Sequence, residues 1–504
     1  MSHAQTMSAL SNEIERSRTV EVAIRPVSYG ALAAFFVASI AYNFVDIDIW
    51  HQIALIRESL LAGHLLRADP FAYTPTLTPW IDHEWGAGVI AFFATSWLGG
   101  WTIILLKFLI AMATGLLCLR CAERMGADFR VLAVCAPLAI FLAHLGFFSA
   151  IRAQVYTFFF TALLMLLWQL DQTGSRIWII VWLVLFPLWV NLHAGFVVGV
   201  GLTFLYWVEQ VVRGREARRL LWVLVGMILE TCFTPYGLSY FGYLRRALMM
   251  ARPYAPEWQP TWVLGAWWTF SFTVAVAVIL YCLWSVGIRK LVGILPLAAM
   301  AVDAMLHRKL LPLFAITWLC YVPFYLSQTA AGGWIVQFVQ RRARFTVAAW
   351  TLFGCASVVA AVRQKPWELF VPQPIYPVGA VNYLREQKFT GNLMVPFRLG
   401  AYVSWNLFPA VKVSLDSRYE ETYPNSVVEN VFRFYEARSG WRETLNAYPT
   451  DAVLVLRESA PAQKMGEVGW RKVYRDREFD LFVRPGVSLA EEDRSTMSFR
   501  GTFP

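Results

Sequence analysis

The sequence predicts a polytopic α-helical membrane protein of about eleven spans, with juxtamembrane helices in the first outer loop, followed by a soluble C-terminal α/β domain. Three observations lead there. The 504 residues are 58% hydrophobic, with a mean hydropathy of +0.48, where a soluble domain is roughly 45–50% apolar. Apolar runs of roughly 18 residues recur, long enough for a helix to cross the hydrocarbon layer. After Arg363 those runs stop and charge becomes mixed.

Residues 1–26 are polar and predict a cytoplasmic tail. The run 27–45 can span and no small-residue cleavage site follows it, which predicts a retained signal anchor. Further candidate spans are 101–119, 131–148, 153–170, 176–191, 195–212, 218–234, 264–286, 290–306, 310–327 and 345–362. Segment 84–98 is ambiguous, and charge decides it. If it does not cross, the loops hold sixteen basic residues on one side and eight on the other. If it crosses, the loop R-G-R-E-A-R-R (213–219) moves outside and the bias collapses. Basic residues accumulate on the cytoplasmic side, so 84–98 is predicted to lie in the outer interface and 27–362 to form the membrane domain. Lys107 falls within a span on either count, and its ammonium is expected to reach the outer surface along its own alkyl stem.

Residues 363–489 predict an outer α/β domain. Helical patterns cover 378–387 and 426–437, strands 392–397, 411–415 and 452–456, and a hairpin 470–484. Residues 490–504 predict a disordered tail. The +10 net charge follows from arginine-rich loops and calls for no nucleic-acid partner. The seven cysteines lie in or beside spans, a distribution that offers no disulfide framework and no cysteine metal site.

The stretch Asp46–Trp85 follows the first span and gathers Asp46, Asp48, His51, Asp69, Asp82, His83 and Glu84. Carboxylates at a membrane boundary are costly and mark candidate sites. At the frayed end of the first helix, Asp46 and Asp48 can reach one cavity. One could take a proton from an acceptor hydroxyl, and the other could orient the acceptor or hold a divalent cation. The plainer reading is a polar helix end with Trp50 as an interfacial anchor. His83 and Glu84 open the interfacial helix, where acids also suit the helix dipole; cap and site readings both stand. Arg152, Arg245, Arg308 and Lys309 are candidate phosphate binders, against lipid-headgroup snorkelling. His51, His193 and Tyr236 complete a candidate cavity lining. Glu230 either pairs with a buried base or faces the cavity.

Eight short motifs in order carry a resemblance. They are D-I-D-I-W-H (46–51), A-D-P-F-A-Y-T (68–74), W-I-D-H-E-W (80–85), I-R-A-Q (151–154), N-L-H-A-G-F (191–196), T-P-Y-G (234–237), H-R-K-L-L-P-L-F (307–314) and S-L-D-S-R (414–418). The chain resembles a bacterial family of GT-C-type membrane glycosyltransferases along nearly its whole length. It departs in I-W-H for W-W-H, R-A-Q for R-P-Q and D-S-R for D-G-R. The resemblance implies a polyprenyl-phosphate-linked sugar donor, an acid just after the first span (Asp46 or Asp48), and transfer in one inverting displacement at the outer face of the bacterial cytoplasmic membrane. The acceptor would be a glycan, a lipid or a protein.

On that reading Asp48, helped by Asp46, is the base, and Arg152, Arg308 and Lys309 hold the donor phosphate. The acids should stand at the opposite end of the cavity from Arg152 and Lys309, with His83 and His193 between. Asp416 and Arg418 should form an internal ion pair. The rival readings are a non-catalytic lipid-phosphate binder or transporter, and a structural subunit of a polysaccharide-assembly complex.

Overall fold

The protein was analysed as a computed structural model that describes residues 23–504 apart from 173, 251 and 253. The expected N-terminal tail lies, up to residue 22, outside the described residues.

Each candidate span is a helix. They are α1 (Ala23–Ser39), α4 (Trp101–Met125), α5 (Phe129–Ala143), α6 (Gln154–Gln172), α7 (Ile177–Leu192), α8 (Phe196–Val212), α9 (Arg218–Glu230), α11 (Ala266–Val286), α12 (Ile294–Leu306), α13 (Leu311–Ser327) and α15 (Ala343–Arg363). Between them lie α2 (Ile47–Ala62), α3 (Trp85–Leu98), α10 (Ser239–Met249) and α14 (Ala330–Arg341). Five helical stretches among the described residues are long and apolar enough to cross a membrane: 101–125, 129–147, 266–286, 308–327 and 343–363. The most buried is 308–327, with 83% of its window inside the protein, and α15 the least, at 17%. So α13 is the axis of the bundle, packed on α4, α5, α6 and α12, and α15 stands at its rim.

The first span ends earlier than its hydropathy suggests. Helix α1 stops at Ser39, and 40–46 runs as an extended link that pairs Phe44 with Phe370. Asp46 is therefore not a frayed end of α1. It is the N-cap of α2, where its carboxylate accepts the Asp48 N–H at 3.1 Å. Lys107 corrects another expectation. It is fully buried and donates to the Tyr42 carbonyl at 2.9 Å and to Asn43 Oδ1 at 3.0 Å, fastening the link to α4.

Beyond α15 come α16 (Val378–Glu386), α17 (Phe397–Leu407) and a six-stranded sheet. Its strands are β1 (Gly391–Met394), β2 (Val411–Val413), β3 (Ala452–Leu456), β4 (Arg471–Arg475), β5 (Phe479–Val483) and β6 (Glu492–Asp493), in the order β2-β1-β3-β5-β4-β6. The β1–β2 and β1–β3 pairs are parallel and β3–β5–β4 antiparallel. The edge strand β2 continues into the first loop: Val413 N–H donates to Phe71 O at 2.9 Å and Tyr73 N–H to Val413 O at 3.1 Å. Helix α17 lies along α2, with Arg57 donating to Trp405 O at 2.9 Å. The sheet thus sits on the loop that follows the first span.

The tail 490–504 is not loose. β6 pairs with β4, Gly501 bridges Val371, and the Phe503 ring meets Trp50 edge-on at 5.0 Å. The composition of the tail is polar enough to float, but a few apolar anchors at its end find a tertiary slot that local sequence does not display.

Candidate functional site

The loops that join alternate helix ends converge beneath the sheet on a cavity of about 450 Å³. Asp46, Asp48, His51, His83, Glu84, Arg152, His193, Arg308 and Lys309 all line it, together with Gln154, Glu257, Arg398, Ser417, Arg418 and Glu421. Residues from four distant segments meet because α1, α5, α7 and α12 deliver their C-terminal ends to the same side of the bundle.

One half of the cavity is a chain of ion pairs. The Arg152 guanidinium donates to Asp48 Oδ2 at 2.8 Å and to Glu257 Oε2 at 3.2 Å, and its Nε lies 3.5 Å from Asp46 Oδ1. Lys309 Nζ takes the other Glu257 oxygen at 2.6 Å. The acids and the cations are therefore in direct contact, not at opposite ends. Burial pushes the Asp46 carboxyl up to about 6, against the opposing pull of Arg152 and with the help of Asp48. Burial would also raise Glu257, but Lys309 and Arg152 hold it well below the usual carboxylate range. Arg308 and Arg398 face the same space without a carboxylate partner among the described residues.

Asp46 and Asp48 do not fit a divalent cation as arranged. Both turn to the guanidinium, and among the described residues no group of three or more His, Cys, Asp or Glu side chains is placed to hold a metal ion.

The other half is a histidine–carboxylate cluster. His83 Nδ1 lies 2.8 Å from Glu421 Oε2 and its Nε2 3.3 Å from Glu84 Oε1. Burial alone would lower the His83 pKa; the two carboxylates outweigh it and raise it well above the ordinary value. His193 differs because its Nδ1 accepts the Gly195 N–H at 3.0 Å and contacts Thr157 Oγ1 at 2.8 Å. That leaves Nε2 to carry the proton and face Glu84 at 3.5 Å. Burial pushes His193 down to about 4 despite Glu84, so the ring is neutral near pH 7. A Cβ on Gly195 would collide with both Thr157 Oγ1 and His193 Nδ1, so the motif N-L-H-A-G-F needs its glycine to let the backbone orient the ring. Glu84 occupies the N-cap position of α3 yet makes no capping bond; its side chain takes Gln52 Nε2 at 2.5 Å. The capping role at this helix start falls to Asp82, whose Oδ1 accepts the Glu84 N–H at 3.0 Å.

Part of the cavity wall is built on Arg418. It bonds Asp416 through Nε at 3.0 Å and Asp69 through Nη2 at 2.6 Å, and lies over the Trp80 ring at 5.1 Å. All three charged side chains are buried. Burial would raise the Asp416 carboxyl, but Arg418 holds it low. The pair is internal, and it also clamps the first loop to the sheet. Beside it, Ser417 Oγ meets His51 Nδ1 at 2.9 Å.

Three candidates fall outside. Arg245 is exposed on α10 and does not line the cavity. Tyr236 is buried, and its hydroxyl accepts the Asp82 N–H at 3.2 Å; it positions the loop before His83 and does not reach the cavity. Glu230 does not line the cavity, and its Oε2 finds no partner among the described residues. Sequence reasoning missed Glu257, Glu421 and Arg398. Glu257 lies in the short turn Pro256–Trp258 and Glu421 in the short helix Tyr419–Thr422, three residues after Arg418; Arg398 opens α17, and none of the three carries a local signal.

No protein-family model matches the chain, and no curated protein matches it. Among solved structures it is similar to the crystal structure of ArnT from Cupriavidus metallidurans bound to undecaprenyl phosphate. The identity is 13%, the TM-score is 0.48, and the match covers 90% of this chain and 96% of that one.

Proposed function

We propose that the protein is a membrane glycosyltransferase of GT-C type that moves a sugar from a polyprenyl-phosphate-linked donor to an acceptor at the outer face of the cytoplasmic membrane. The observation that carries this reading is the juxtaposition, in one cavity at one end of an apolar bundle, of the Asp46–Asp48 pair with Arg152, Arg308, Lys309 and Arg398. A lipid phosphate needs cations and an acceptor hydroxyl needs a base; side chains of both kinds line one cavity here.

Arg308 and Arg398 meet the donor phosphate first, since neither is neutralised by a carboxylate. Lys309 and Arg152 join them by exchanging Glu257 for the phosphate, which frees Asp48 from its arginine. Asp48 then takes the acceptor proton, the acceptor oxygen bonds to the anomeric carbon, and the sugar–phosphate C–O bond breaks with inversion. The electron pair leaves on the phosphate, where the cations stabilise it. Asp46 sustains the negative field at Asp48, and His83, His193 and Glu84 offer donors and acceptors to sugar hydroxyls.

The test combines binding of a polyprenyl phosphate to the full chain in nanodiscs with release of that lipid from a panel of polyprenyl-phosphate sugars. Asp48→Asn should lower turnover by about 10²–10⁴-fold and leave binding nearly intact, because shape is kept and the base is lost. Arg308→Gln with Arg398→Gln should weaken binding itself. Binding without turnover across the panel would favour the lipid-phosphate binder. A stoichiometric co-purified partner without turnover would favour the assembly subunit.

A further inference from the structure

At the end of the bundle away from the cavity, α15 stands apart from its neighbours. It touches α1 where Gly354 meets Ala31 and where Phe353 packs on Phe35 at 5.0 Å. Toward α5 and α14 it leaves a cleft of about 440 Å³. Val134, Pro137, Trp334, Phe338, Phe345 and Trp350 line it. Trp334 and Phe345 are about two-thirds exposed, at 65% and 64%, and Trp334 stacks on Phe338 at 5.3 Å. Proteins fill their interiors as densely as organic crystals, so an apolar gap of this size between helices calls for an apolar filler.

The turn that joins the two helices flanking the cleft identifies the filler. Arg341, Arg342 and Arg344 lie between Phe338 and Phe345, are exposed, and have no carboxylate partner among the described residues. From Phe345 to Phe353 the helix rises roughly 12 Å, so an acyl chain could run down the cleft with its headgroup at the arginines. Val339 of α14 packs on Ile24 and Phe129, which places this mouth beside the starts of α1 and α5. Basic clusters at the edge of a membrane bundle select anionic headgroups.

We infer that this cleft is a binding site for an anionic phospholipid, its chains between α5, α14 and α15 and its phosphate at Arg341, Arg342 and Arg344. The lipid glues α15, and so the strand-bearing chain that follows it, to the bundle. The inference is independent of what the cavity at the other end does.

Native mass spectrometry of the full chain, released from detergent with equal phosphatidylglycerol and phosphatidylcholine, tests it. One phosphatidylglycerol should be retained over phosphatidylcholine by about fivefold or more. The R341Q/R342Q/R344Q variant should lose that preference. Ala349→Trp fills the cleft from an exposed position without changing charge, and should lose the retained lipid altogether; this arm decides if the triple variant does not fold. Equal retention of the two lipids, retention unchanged in Ala349→Trp, release by inorganic phosphate, or a lipid-free dimer held through this face would each overturn the inference.

Discussion

The Arg152 guanidinium donates to the Asp48 carboxylate at 2.8 Å. That carboxylate oxygen is occupied by the guanidinium and is not free to receive an acceptor proton. The proposed base is therefore restrained until something draws Arg152 away, and the Glu257 carboxylate already sits where an anion would do so. Lys309 holds one Glu257 oxygen and Arg152 the other, so on the proposed reading Glu257 stands in for a phosphate between the two cations.

That arrangement predicts an inverted mutational effect. Glu257→Gln keeps the shape and removes the competing charge. Affinity for a polyprenyl phosphate should rise by about tenfold, the scale of one hydrogen bond to a charged group. Isothermal titration in nanodiscs reads it directly. A loss of affinity would show that Glu257 orders the two cations and does not compete with the ligand.

Asp46 sets a pH dependence. Its carboxyl in the folded chain titrates at about 6, above the ordinary 3.8. The native state thus binds the extra proton between those values, and stability falls as pH rises across the same window. Asp46→Asn retains an oxygen for the cap on Asp48 N–H and should abolish that fall, visible as melting temperatures that no longer drop between pH 4 and pH 6. On the proposed reading turnover moves the opposite way, climbing through pH 6 as Asp46 ionises, and the variant should lose that limb.

Arg418 should be the most sensitive structural position of the cavity wall. Replacing it with Met leaves Asp416 and Asp69 buried without a cation, a change that typically costs about 3–5 kcal/mol. The first loop should then part from β2 and become a site of limited proteolysis between residues 66 and 78, while the bundle remains folded. Asp69→Asn keeps a hydrogen-bonding oxygen and should cost less. A variant as protease-resistant as the parent would show that the strand pairing of Phe71–Tyr73 suffices without the ion pair.

Topology can be read by labelling. Arg215→Cys lies in the exposed turn between α8 and α9, on the side assigned to the cytoplasm by the basic bias. A membrane-impermeant thiol reagent should leave it unmodified in intact cells and modify it after permeabilisation. Arg398→Cys, in the cavity wall, should react in intact cells. The reverse pattern would place the sheet and the cavity inside.

Much of the molecule was legible from local pattern. The helices of the bundle, the helix within 84–98, the strands near 391, 411 and 452 and the hairpin 470–484 follow from periodicity and from turn residues, which act over a few positions. The gathering of Asp46, Arg152, His193 and Lys309 at one end was also legible, since alternate ends of antiparallel helices must share a side.

Distances within that end were not. Charge counting says which side of a bundle a group occupies, but whether Arg152 touches Asp48 depends on where α2 begins and on how Glu257 swings in from a loop 105 residues away. Like charges had argued for separating the acid from the phosphate site; the fold instead put opposite charges in contact, because a buried carboxylate without a partner costs more than an ion pair that a ligand can later exchange. Tertiary structure alone likewise decided that Phe503 would seat on Trp50 and that Phe71–Tyr73 would extend the sheet. A backbone edge or an apolar slot exists only once the distant chain has formed it. The sequence by itself determined which segments are apolar, which end carries the charge and where the strands lie; the pairing of those charges was set by packing between segments that no local pattern relates.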